Sequence, residues 1–80
     1  MEASSRTRWR CRRGMREMDI IFERFLEHGY TLLDSRECQA FDVLLDLPDQ
    51  DILAWLVGQQ TAPNSEIGRL VPVIRKHAFP

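Results

Sequence analysis

The stretch Met15-Arg16-Glu17-Met18-Asp19-Ile20-Ile21-Phe22-Glu23-Arg24-Phe25-Leu26-Glu27-His28-Gly29 decides the fold class of this chain. Met15, Met18, Phe22 and Phe25, with Ile21 and Leu26 beside them, repeat at the i, i+3, i+7 spacing of an amphipathic helix. A half-buried strand would alternate polar and apolar residues instead, and no such alternation of β-branched residues occurs anywhere in the sequence. His28 falls in the last turn of this helix, and Gly29 is placed for the left-handed C′ position that ends many helices.

The same period continues outward. Asp34 or Ser35 can cap a second helix, with Cys38, Phe41, Leu44 and Leu45 on its apolar side. Pro48, followed by Asp49 and Asp51, marks a third start, with fixed φ and acids near the positive helix end. Ile52, Leu53, Trp55 and Leu56 follow, and Gly58 closes that helix. A polar loop over 59–63 leads to Asn64, the cap of a last helix that carries Ile67, Leu70, Val71 and Ile74. Pro72 lies inside this last helix and predicts a kink or break near residue 68. Residues from about Arg6 to Arg12 have room for one more short helix. The expectation is an all-α chain: a compact bundle of four to five helices forming a single domain over 1–80, with residues 1–5 dispensable. Met15, Met18, Phe22, Phe25, Phe41, Trp55 and Leu56 are expected in the core, and Trp9, Tyr30 and Phe79, at element ends, partly exposed.

Eighty residues bury only about 60–65% of the unfolded surface, which leaves little room for an internal active site. No apolar run approaches the ~20 residues that span a bilayer, so no membrane insertion is expected. Two cysteines are too few for a disulfide framework. The net charge of −1 conceals an asymmetry: residues 1–16 hold six arginines and one acid, whereas 17–80 hold five bases and eleven acids.

Against this background the run from Arg12 to Asp19 stands out. It reads Arg12-Arg13-Gly14-Met15-Arg16-Glu17-Met18-Asp19. In a helix interior Gly14 would cost about 1 kcal/mol against alanine, so it points to a close backbone approach or a bend. Read as helix, Arg13 and Glu17 form an i, i+4 pair in the weaker orientation, and Arg12 and Arg16 repel. A patch that stabilises its own helix so poorly reads as a contact surface.

Other chemistries fit less well. Cys11, His28, Cys38 and His77 are the soft or imidazole ligands, and none is paired at metal-site spacing, so no metal is expected. Cys11 lies among arginines, which would lower a thiol pKa, while Cys38 has core spacing. No motif joins a cysteine to a histidine, and no catalytic residue is assigned. The arginine-rich arm with Trp9 between its bases suits phosphate and base stacking. However, the pI of 6.1 and the Glu17 and Asp19 carboxylates oppose nucleic acid binding. The arm also mimics a transit peptide, yet its arginines run straight into the first helix, which leaves too short a segment for a presequence.

The motif Trp9-x-Cys11-Arg12-Arg13-Gly14-Met15-x-Glu17-x-Asp19 resembles the signature of the succinate dehydrogenase assembly factor family, the FAD assembly factors or flavinators. Further along, Phe25-Leu26-Glu27-His28, Phe41-x-x-Leu44-Leu45-Asp46 and Pro48-Asp49-x-Asp51-Ile52-Leu53-Ala54-Trp55-Leu56 resemble later segments of the same family, so the likeness spans about residues 6 to 76. Two positions depart from it: Leu47 stands where the family has an aspartate before the proline, and Pro72 lies in the last helix. The resemblance implies a five-helix fold and a chaperone-like, non-enzymatic role. Its partner would be the flavoprotein subunit of succinate dehydrogenase or a related fumarate reductase, whose covalent FAD attachment it promotes. FAD would be that partner's cofactor and not stably held by this chain. The docking positions carried over are Arg13, Gly14 and Glu17, with Arg12, Met15 and Asp19 around them. The implied location is the cytoplasm of a bacterium, or the mitochondrial matrix of a eukaryote. The alternative reading is an antitoxin-like or nucleic-acid-binding small helical protein that uses the arginine-rich arm.

Overall fold

A computed structural model describes residues 3–79 and places five α-helices in order: α1 Ser5–Arg10, α2 Arg16–His28, α3 Ser35–Leu44, α4 Asp49–Leu56 and α5 Ser65–Ala78. A short 3-10 turn, Tyr30–Leu32, joins α2 to α3, and no strand occurs among the described residues. α5 is the central element and packs on α2, α3 and α4.

The apolar periods become the core. Met18, Ile21, Phe22, Phe25 and Leu26 of α2 are buried, as are Ala40, Phe41 and Leu44 of α3, and Ile52, Trp55 and Leu56 of α4. Ile67, Leu70, Ile74 and Ala78 close the core from α5. Phe41 is its hub: its ring centroid lies 5.2 Å from that of Phe25 and 5.7 Å from those of Phe22 and Tyr30. Burial of each such side chain is worth roughly 1.5–3 kcal/mol, and edge-on ring pairs add about 0.5–1.5 kcal/mol.

Local chemistry sets the helix ends. Asp34 and Glu37 form a reciprocal capping box on α3, with N···O distances of 2.8 and 3.0 Å. Asn64 accepts the Ile67 N–H at 3.0 Å and starts α5. Gly58, with φ +82°, ends α4: its N–H donates to the Trp55 carbonyl, and the Gln59 N–H donates to the Ala54 carbonyl. These are the two bonds of a Schellman motif. Pro48 opens α4 without a side-chain cap, as expected with Leu47 before it.

Four expectations are corrected. Gly29 is not left-handed; its φ is −124°, and it is glycine because a Cβ there would lie 2.8 Å from the Phe25 ring and 2.9 Å from His77 Cβ. Tyr30 is buried, drawn into the Phe25–Phe41 cluster, and burial raises its phenol pKa. Cys38, expected in the core, is only half-buried, whereas Cys11 is 4% exposed. Finally, α5 runs unbroken through Pro72. The proline ring crowds the carbonyl four residues back, which belongs to Gly68, the most pliable residue for that position, and Pro72 itself faces solvent.

Residues 1 and 2, part of the segment expected to be dispensable, lie outside the described residues; Ser4 caps α1 by accepting the Thr7 N–H, and Ser5 is its first residue. No residue of α1 is buried. Arg10 ties it to the bundle, its guanidinium reaching the carboxylates of Asp42 and Asp46 and the Asp42 carbonyl. No helix of the described chain is long and apolar enough to cross a membrane.

Candidate functional site at the Gly14 loop

The segment Cys11–Met15 turns the chain from α1 into α2. Gly14 sits at φ +82°, a conformation that cannot continue a right-handed helix and that glycine alone adopts without penalty. The helix therefore begins at Arg16, with Met15 as an extended N-cap. This corrects the reading of 12–19 as helix: the i, i+4 pairings of Arg13 with Glu17 and of Arg12 with Arg16 do not apply. The glycine answers to the bend, and space around it is open, with no atom within 4 Å of where a Cβ would stand.

The six carried-over residues divide by direction. Arg12, Gly14 and Glu17 are exposed, with Arg16 between them. Met15 is half-buried and packs against the core. Glu17 lies in the first turn of α2, where the partial positive charge of the helix end favours a carboxylate. Arg13 and Asp19 instead face the protein. The Arg13 backbone N–H donates to Asp19 Oδ1 at 2.6 Å. Its side chain, 14% exposed, donates through Nε to Asp49 Oδ1 at 2.6 Å, through Nη1 to the Leu45 carbonyl at 2.5 Å and through Nη2 to the Leu47 carbonyl at 2.7 Å.

These acceptors explain the orientation. Leu45 is the C-cap of α3, whose last carbonyls lack intrahelical partners and carry negative character. Asp49 opens α4. One planar guanidinium with several donors in a fixed fork serves all three, which an ammonium could not do. Asp49 and the two carbonyls were missed by sequence reasoning: they lie 32 to 36 residues from Arg13, and no local spacing signals them.

A cleft of about 480 Å³ adjoins the loop between α1 and α2, with Arg8 and Arg12 on one wall and Asp19, Glu23 and Glu27 on the other. Cys11 is among its lining residues. Burial outweighs the neighbouring Arg13, Arg10 and Arg8 and pushes this thiol up to about 11, opposite to the lowering that its arginine neighbours suggest in sequence. It is a poor nucleophile at neutral pH. His28 is exposed and His77 half-buried, and no group of three or more metal-ligating side chains occurs among the described residues. The basic arm is also less cationic than it reads, since Arg10 and Arg13 are paired with aspartates of the body.

Comparison with known proteins places this sequence in a family. The sequence profile of the family described as flavinator of succinate dehydrogenase matches residues 5–78. A protein described as FAD assembly factor SdhE from Coxiella burnetii is 42% identical over 74 residues, covering 92% of this chain and 90% of that protein. Its namesake from Shewanella oneidensis is 37% identical over 76 residues, covering 95% of this chain and 93% of that protein. That from Legionella pneumophila is 38% identical over 71 residues, covering 89% of each.

Proposed function

This chain belongs to the family of flavinators of succinate dehydrogenase, and on that premise we propose that it binds the flavoprotein subunit of succinate dehydrogenase, or a related fumarate reductase subunit, and promotes covalent attachment of FAD to it. The observation that carries the reading is the exposed Gly14 at φ +82°, set between exposed Arg12 and Glu17. Absence of a side chain lets the client's backbone approach closely. Arg12 pairs with a client carboxylate or carbonyl, and Glu17 accepts from client donors. Met15 adds apolar contact, while Arg13 and Asp19 fix the loop from inside.

The chain acts as a scaffold. It supplies no nucleophile, in keeping with a buried Cys11 thiol held well above neutral pH. It orients the client's domains so that a client histidine lies against the flavin, and the bond forms through proximity and orientation, which are worth up to about 7–11 kcal/mol in well-aligned systems. FAD belongs to the client throughout, and the work is done where the client matures, in the cytoplasm of a bacterium.

The test is reconstitution. Mixed with apo flavoprotein subunit, FAD and a dicarboxylate, the protein should raise the yield of covalently bound flavin, read as in-gel fluorescence. Yield unchanged across a wide concentration range overturns the proposal. Tight, salt-sensitive binding to DNA or RNA in its place would favour the nucleic-acid reading.

A further inference from the structure

Resting on that reading, we propose that Asp49 is a positioning residue of the docking surface, which acts through Arg13 to hold Gly14 in the conformation the client meets. Asp49 lies in α4, 36 residues from Arg13, and is joined to the loop by the 2.6 Å ion pair. The pair is sheltered, with side chains 14% and 22% exposed, so water screens it far less than a surface pair. Residue 13 is thus gripped at both ends. Asp19 of α2 takes its backbone N–H, and Asp49 of α4 takes its guanidinium. The residue immediately after it is the left-handed glycine.

Buried Cys11 and half-buried Met15 anchor the two ends of the loop, and Arg13 is the residue between them that is held to the bundle. α1 contributes no buried residue, and Arg12 and Gly14 are exposed. A glycine flanked by open space has several accessible backbone conformations. The Arg13–Asp49 pair selects one of them and sets the direction in which Arg12 projects relative to Glu17, which the buried face of α2 fixes. Removing the pair lets the loop sample others, and apparent affinity falls by the fraction that remains competent. If about a tenth of the population stays competent, binding weakens about tenfold.

The experiment is a double-mutant cycle on affinity for recombinant apo flavoprotein subunit, with Asp49→Asn, Arg13→Gln and the double variant, each also checked by circular dichroism. Each single change should weaken binding about tenfold, and the double variant should bind no worse than the weaker single, because both act through one link. Arg13→Lys is the milder probe if a single variant folds poorly. It keeps the charge beside Asp49 but cannot reach both carbonyls, so it too should weaken binding. Leu44→Ala, a core change remote in role, should lower thermal stability while its folded fraction binds as wild type does.

Wild-type affinity in folded Asp49→Asn or in Arg13→Lys, or losses that multiply in the double variant, overturns the inference. So does Leu44→Ala weakening binding in step with stability. Failure of the wild-type protein to bind the subunit is a different result: it removes the proposed function, and this inference with it.

Discussion

Replacing Gly14 and Gly58 with alanine separates backbone strain from recognition. Both glycines have φ +82°, and at both a Cβ would meet no atom within 4 Å. Steric collision is therefore absent, and the cost is conformational. Placing an L-residue in the left-handed region costs roughly 1–2 kcal/mol. Alanine also restricts the unfolded chain, which returns about 0.4–1 kcal/mol. The net loss should be near 1 kcal/mol at either position, or roughly 4–8 °C in Tm for a domain of this size. Asparagine tolerates this region better and should cost less. Gly29→Ala makes the contrast: its φ is negative, but its Cβ would collide with Phe25 and His77, so the loss there is one of overpacking, about 1–3 kcal/mol. Thermal unfolding gives the stabilities, and the flavinylation assay, at equal concentrations of folded protein, gives the function. Gly14→Ala should lose stimulation, whereas Gly58→Ala, at the far end of α4, should keep it. If Gly14→Ala is destabilised like Gly58→Ala yet stimulates normally, Gly14 bends the loop without meeting the client. If neither variant is destabilised, the left-handed assignment is wrong.

Glu17→Ala should change stability by less than about 0.5 kcal/mol, since Glu17 is exposed, yet weaken client binding by the 2–5 kcal/mol typical of a truncated interfacial charge; unfolding of this variant would place the residue in the scaffold instead. Leu44→Ala, at 0% exposure, should cost about 2–5 kcal/mol by chemical denaturation. The Cys11 thiol rises on folding from its ordinary 9.0 to about 11, so the stability it confers is complete below pH 9.0 and is lost as pH rises towards 11. Cys11→Ala should flatten the dependence of stability on pH across that window, and alkylation of the native protein should reach half-buried Cys38 before Cys11. Pro72→Ala restores an N–H that can donate to the Gly68 carbonyl and should stabilise α5 by roughly 1–3 kcal/mol, seen as a higher Tm; an unchanged or lower Tm would mean that the helix is already relaxed around the proline.

Much of what depends on residues within about one helical turn could be read from the sequence, although the break expected at Pro72 and the helix expected across Gly14 could not. The stripe Met18, Phe22 and Phe25 is buried as its period demands, because side chains three and four apart share a helix face. Asp34, Asn64 and Gly58 end their helices as their chemistry requires, since each bonds backbone only a few residues away. The resemblance carried by Arg12 to Asp19 and by the Trp55 segment leads to the family, and with it to the functional proposal.

What else the sequence left open depends on groups brought together from afar. Arg13 reads as an outward-facing docking residue until Asp49 and the carbonyls of Leu45 and Leu47 arrive from 32 to 36 positions away. Cys11 is buried and Cys38 only half-buried because neighbours in space, not in sequence, decide access to water, and desolvation then overrides the arginines beside Cys11. Tyr30 joins the core through Phe25 and Phe41, and Gly29 is required by His77, a residue of α5. Local chemistry determined the helices and their ends. Packing alone decided which of the clustered charges turn inward to hold the Gly14 loop and which remain for a partner, because an ion pair forms only where the tertiary fold brings donor and acceptor together and shields them from water.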